Sequence, residues 1–167
     1  MKELLRDIII VVLVAVCIIT LVKPIIVKKT SMEPTLYEND YLMVSKQAYT
    51  IFGEPKRGDI VVFPHVEGDL TELYIKRVIG LPGEKVTITN GRVYINGEPI
   101  EEDYTKDGVT SGEVKDYLVP AGKVYVLGDN REVSVDSRSD EVGCVDIDEI
   151  IGKALLRVYP FGKFGFV

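Results

Sequence analysis

Charge is absent from Ile8 to Val22, and counting back to Leu4 and Leu5 the apolar stretch reaches 19 residues. A single-pass membrane helix needs about 20 apolar residues. This segment meets that length if Arg6 and Lys23 carry their charges outward on apolar stems. A cleaved signal peptide would need small residues just past the apolar run, where the chain instead reads Pro24-Ile25-Ile26-Val27-Lys28-Lys29. A core helix apolar on every side would need a larger domain around it. The pattern predicts an uncleaved N-terminal anchor over residues 1–26 and a folded domain over 27–167. Charge does not orient it: two basic residues (Lys2, Arg6) precede the span and three (Lys23, Lys28, Lys29) follow. That count leans, if either way, to a cytoplasmic C-terminus.

Beyond residue 30 the period changes. Short alternating or β-branched runs at Tyr41–Val44, Ile60–Phe63, Leu73–Ile79, Val86–Thr89, Arg92–Ile95, Val124–Leu127 and Ala154–Tyr159 read as strands. Leu81-Pro82-Gly83-Glu84 has the form of a type II turn, with Pro second and Gly third. Asn90-Gly91 between two such runs is a strong hairpin signal, and Asn96-Gly97 follows as a second turn. Glu101 to Asp116 is polar and acidic and reads as a surface excursion. No helical period of useful length appears in this part. The architecture predicted is a mainly antiparallel β domain on one N-terminal transmembrane helix.

Composition narrows the function. A chain of 167 residues holds one domain and a terminal segment. A net charge of -6 with no basic stripe argues against nucleic-acid binding. With one histidine, His65, and two cysteines, Cys17 and Cys144, no zinc spacing exists. A Cys17–Cys144 disulfide is not expected, because Cys17 lies inside the apolar run.

Two residues carry the candidate chemistry. Ser31 lies three residues before Pro34, whose ring keeps Glu33 out of helical geometry and presents the hydroxyl on an extended or turned backbone. Lys76 lies within Tyr74-Ile75-Lys76-Arg77-Val78-Ile79 and shares a strand face with Tyr74 and Val78. Desolvation there disfavours the ammonium, and a neutral amine could take the proton of a serine hydroxyl. Each also has an ordinary reading, a turn serine and a solvated strand lysine, and His65 is a second candidate base. Gly128 to Arg138 is dense in Ser, Asp and Arg directly after a hydrophobic run, suited to holding a buried amine and locking a loop with charge pairs.

Four blocks in order resemble bacterial type I signal peptidases: Ser31-Met32-x-Pro34-Thr35-Leu36, Arg57 to Phe63, Tyr74 to Gly83, and Gly128 to Arg138. The similarity continues through Ile151-Gly152-Lys153-Ala154 to Tyr159-Pro160-Phe161, and the short interval between Lys76 and Gly128 resembles the compact, single-anchor Gram-positive form. The resemblance implies a fold of two antiparallel β-sheets. It implies a membrane-bound serine endopeptidase that removes signal peptides from exported preproteins after small residues at -1 and -3. Ser31 matches the nucleophile, Lys76 the general base, and Ser134 the serine that hydrogen-bonds the lysine amine. Asp129, Arg77, Asp136 and Arg138 match the charged residues that hold the site. Val27, Leu36, Val62 and Ile75 match the lining of the -1 and -3 pockets. The resemblance also implies an extracytoplasmic catalytic domain beside the lipid bilayer. It implies no metal, cofactor, nucleic acid or obligate protein partner.

One position departs from the pattern. Relatives carry Ser or Gly two residues before the nucleophile, and this chain carries Lys29, either pointing outward or adding positive charge near the oxyanion. Two other classes are open. A self-cleaving Ser/Lys repressor would need an Ala-Gly bond upstream of the serine, and the only Ala-Gly here is Ala121-Gly122. A catalytically silent, membrane-anchored β module is the other.

Overall fold

The N-terminal apolar run forms helix α1, Lys2–Leu21, in the computed structural model of the chain, which describes residues 2–49 and 53–167. The side chains of residues 2, 14–20 and 67 lie outside the description, Cys17 among them. Among the described residues no helix is long and apolar enough to cross a membrane, so the expected anchor is taken up below as a proposal. The helix also stops earlier than residue 26. Val22–Ile26 is strand β1, paired antiparallel with β2 (Tyr41–Ser45) from Val22 opposite Ser45 to Ile26 opposite Tyr41. Pro24 is the reason: it cannot donate within a helix, whereas an edge strand tolerates it.

Among the described residues ten more strands follow. They are β3 (Ile60–Glu67), β4 (Leu70–Gly80), β5 (Lys85–Thr89), β6 (Arg92–Ile95), β7 (Glu98–Pro99), β8 (Val114–Leu118), β9 (Lys123–Leu127), β10 (Val145–Asp146), β11 (Gly152–Tyr159) and β12 (Gly165–Phe166). They build two sheets with antiparallel pairings throughout. The larger has eight strands in the order β1-β2-β11-β3-β4-β9-β10 with β12 on β11, and the smaller has four in the order β7-β6-β5-β8.

The turn chemistry behaves as its residues dictate. Asn90 and Gly91 both adopt positive φ (50° and 76°) and close β5 onto β6 with Thr89 opposite Arg92, the backbone that suits the twist of a two-residue hairpin. Gly83 (φ 82°) closes the Leu81–Glu84 turn through Glu84 N–H to Leu81 O at 3.1 Å. The acidic stretch 101–116 is mostly exposed, as expected of a surface excursion, but its last residues enter β8 and Thr110 inside it is 2 % exposed.

Alternation sorts the strands into separate cores. Ile60, Val62 and Ile75 pack with Val27, Met32, Leu36 and Leu42, while Val61, Phe63, Tyr74 and Val78 face the other way with Val124 and Val126. Ile79, Tyr125 and Leu127 pack against Val86, Ile88 and Val93 of the small sheet. Strand β4 thus pairs with β3 along most of its length and with β9 from Arg77 on, and it is buried from Tyr74 to Gly80. A lysine in its middle has little access to water.

Candidate active site

Lys76 sits opposite Val61 of β3, and its side chain is buried with Tyr74 on the same face, the ammonium 5.3 Å from the Tyr74 ring centroid. Ser31 comes from the turn after β1. That turn is held by Glu33 N–H to Thr30 O and Leu36 N–H to Met32 O at 3.1 and 2.8 Å, with Met32 and Leu36 anchored in the core. Nζ of Lys76 donates to Oγ of Ser31 at 2.8 Å. Burial lowers the lysine pKa from 10.5 to about 8; Asp136 and Asp129 pull it upward, and Lys29 and Arg138 push it down. Desolvation wins because the two nearby carboxylates are already engaged by arginines.

Those carboxylates are locked. Asp129, fully buried, takes two hydrogen bonds from Arg77, Nε at 2.8 Å and Nη2 at 2.6 Å, and a third from the Thr35 hydroxyl. Arg77 also donates to Gly58 O, and its guanidinium stacks 4.1 Å from the Tyr104 ring centroid. Asp136 accepts from Arg138 Nε at 2.8 Å, from Arg138 Nη2 at 2.9 Å and from Gly128 N–H at 3.0 Å. Bidentate pairing of this kind fixes geometry as well as charge.

The loop 128–138 also grips the nucleophile's turn. Asn130 donates its backbone N–H to Ser31 O at 3.0 Å and its side-chain amide to Thr30 O at 3.3 Å. Gly128 lies against Ser31 O and the Ser134 side chain, where any Cβ would collide. Arg131, 2 % exposed, ties the loop to the 101–113 stretch through Glu102 and Thr110, and closes the loop on itself through Gly128 O. Arg138 adds bonds to Ser111.

Ser31, Lys76, Arg77, Asp129, Asp136 and Arg138 are therefore brought together. Ser134 is beside them, but its buried Oγ has no hydrogen-bond partner, so the bond to the lysine amine that the resemblance implies is not made here. A cleft of about 970 Å³ opens at Ser31 and Lys76, with residues 23–32 along one wall and 70–76 along the other. Val27 and Ile75 line it; Leu36 and Val62 are wholly buried in the same apolar cluster and stand behind the wall. Lys29 pairs with Glu72 at 2.5 Å, lies 4.9 Å from the Tyr74 ring centroid, and its positive charge acts on Lys76. His65, the alternative base, packs its ring on Tyr74 at 4.5 Å and is 3.8 Å from Glu141. Among the described residues no group of three His, Cys, Asp or Glu could hold a metal ion. Cys144 is a free thiol.

Sequence reasoning missed Thr35, Tyr104, Glu102, Arg131 and the gripping role of Asn130. Arg131 and Asn130 stood inside the charged run, but their partners lie about 20 to 100 positions away. Only the fold reveals such pairs.

A mainly β chain with a buried lysine at a serine hydroxyl describes a class, the hydrolases that use a serine. Comparison with known proteins gives the particular family. The model for "Signal peptidase, peptidase S26" matches residues 1–159. A signal peptidase I from Leptolyngbya laminosa is 47 % identical over 143 residues, covering 81 % of this chain and 68 % of that protein. One from Bacillus licheniformis is 38 % identical over 172 residues, covering 96 % and 90 %. The crystal structure of a signal peptidase I from Enterococcus faecalis V583 aligns with TM-score 0.50 at 34 % identity, over 60 % of this chain and 96 % of that one. The chain belongs to the S26 signal peptidase family and is a serine endopeptidase.

Proposed function

We propose that the protein is a membrane-anchored signal peptidase that cuts signal peptides from exported preproteins with Ser31 as nucleophile and Lys76 as general base. The observation that carries this reading is the 2.8 Å contact between a buried lysine amine and a serine hydroxyl at the end of a cleft. In the neutral lysine the contact reverses, and the Ser31 hydroxyl donates to Nζ. Ser31 Oγ then attacks the -1 carbonyl while its proton passes to Nζ. The Ser31 backbone N–H stabilises the tetrahedral oxyanion. Lys76 gives that proton to the departing amine, and the C–N bond breaks. A water then enters, loses a proton to Lys76 and attacks the acyl ester; the ester C–O bond breaks and Lys76 returns that proton to Ser31 Oγ, regenerating the hydroxyl and the neutral amine.

The substrate lies extended between the two walls of the cleft, pairing with strand-edge backbone. Small side chains at -1 and -3 meet Val27 and Ile75, with Leu36 and Val62 closing the space behind them. The relatives' shared name supplies the substrate class. Helix α1 serves as the anchor and leaves the catalytic domain outside the cytoplasm. Support for the anchor, though not for its orientation, comes from Leu4, Leu5, Ile8, Ile9, Ile10, Val11, Val12 and Leu13, all at least half exposed, a surface that fits lipid better than water. Tethering beside the membrane raises the effective concentration of a substrate held in the same bilayer.

The test is cleavage of a purified preprotein with an A-x-A site by the detergent-solubilised protein and by Lys76→Ala. Cutting by the parent alone is the expected result. Equal cutting by both would move the base role elsewhere, and no cutting by folded parent would favour a silent module.

A further inference from the structure

The departure at position 29 has a structural counterpart on the facing wall. Lys29 stands two residues before Ser31, Glu72 stands four before Lys76, and their ion pair at 2.5 Å joins the two walls of the cleft. Both ends are accessible, with side-chain exposures of 53 % and 40 %, so the pair crosses the mouth of the cleft and not its floor. The Tyr74 ring beneath the Lys29 ammonium fixes where that charge lies. Lys28 also acts on Glu72, and apart from Lys76 the lining sets Lys23, Lys28 and Lys29 against Glu38 and Glu72.

We infer that Lys29 makes this enzyme read the charge of the substrate side chain at -2, favouring an acidic residue and disfavouring a basic one. The inference rests on the peptidase reading above. Successive side chains of an extended peptide point to opposite faces. If -1 and -3 turn inward to the apolar wall, -2 turns outward to the mouth, where the Lys29–Glu72 pair crosses. Seating the peptide parts that pair. A carboxylate at -2 then takes over the Lys29 ammonium. A lysine at -2 adds another cation to a rim already richer in lysine than in glutamate. Exposed ion pairs carry modest net energy, so the discrimination is a few-fold, and salt screens it.

Three peptides of one sequence, differing only as Ala-Glu-Ala, Ala-Gln-Ala and Ala-Lys-Ala before the cut, would be competed against one another at low and high salt. For the native, detergent-solubilised protein, kcat/KM is expected to favour Glu over Lys by about five-fold at low salt and less at high salt. In Lys29→Gln the ratio should fall to about one, and in Glu72→Gln it should rise, because the internal competitor for Lys29 is gone. Ratios between substrates cancel any change in the Ser31 and Lys76 chemistry. Equal rates for all three peptides in the native protein, or an unchanged ratio in Lys29→Gln, would overturn the inference alone. Failure of the native protein to cut any of them would overturn the peptidase reading and this inference with it.

Discussion

Gly128 and Ser134 face each other so closely that the Ser134 hydroxyl occupies the space a Gly128 side chain would need, with the Ser31 carbonyl closing the other side. The strand β9 is therefore followed by a residue with no side chain, because the nucleophile's backbone and the Ser134 side chain both press against it. Gly128→Ala has no flexible neighbour to displace on the Ser31 side. Overpacking of this kind costs about 1–3 kcal/mol. The variant should unfold at lower urea and lose most of its kcat, as read by denaturation and peptide cleavage. Native stability would show that the turn can retreat.

Ser134→Ala separates structure from chemistry. The Ser134 Oγ is buried without a partner, and removing an unsatisfied hydroxyl is neutral or stabilising. Thermal unfolding should thus be unchanged or slightly later. If the hydroxyl orients the Lys76 amine once substrate is bound, kcat falls about ten-fold or more while KM holds. Unaltered kcat would remove Ser134 from the mechanism.

Lys76 gives the pH behaviour. Its pKa is about 8 in the fold and 10.5 in the unfolded chain. The reactive neutral form grows as pH rises, so kcat/KM should climb through about pH 8 and level off above it. Stability follows the same direction. Between the two values the unfolded chain binds more protons, so stability increases with pH across that window, and the full penalty applies below it. A shift of this size corresponds to on the order of 3 kcal/mol. Lys76→Met should be inactive yet more stable than the parent at pH 7, with the gap narrowing towards pH 10. Urea titrations at both pH values measure it, and a less stable Met variant at pH 7 contradicts it.

Asp129→Asn tests the opposite kind of buried charge. It leaves the Arg77 guanidinium, itself 9 % exposed, without its carboxylate. Breaking one side of such a pair costs about 3–5 kcal/mol, which for a domain of this size is several degrees in Tm. Calorimetry reads this directly, and a loss under about 1 kcal/mol would mean that water or Thr35 takes over.

Much of this molecule was legible before its fold. Ser31, Lys76 and the arginine and aspartate partners stood in local blocks, and local blocks survive folding as hairpins, turns and strand faces. Strand alternation correctly set Lys76 beside Tyr74 and Val78. The end of the apolar helix was only partly legible: Lys23 and Pro24 mark a break, but Ile25 and Ile26 resume the apolar run, and pairing with β2 decides that Val22 to Ile26 is strand. The 101–116 stretch is mostly exposed, as its polarity suggests; what composition did not show is that Glu102 and Thr110 within it receive the buried Arg131. Leu36 and Val62 show the limit of assigning pockets by motif, since a residue in the right block can stand one layer behind the wall.

Helix α1 passes into β1 with no loop between them, and the Lys46 N–H bonds Leu21 O at the junction. At about 3.3 Å per residue, the five residues of β1 make a stiff post of about 17 Å. With α1 as the anchor, that post gives the catalytic serine a set altitude over the lipid surface. On the proposed function, the enzyme would then act as a gauge as well as a blade: a precursor would be cut where its own chain first rises to that height, and an equally good Ala-x-Ala nearer the bilayer, or farther from it, would go uncut.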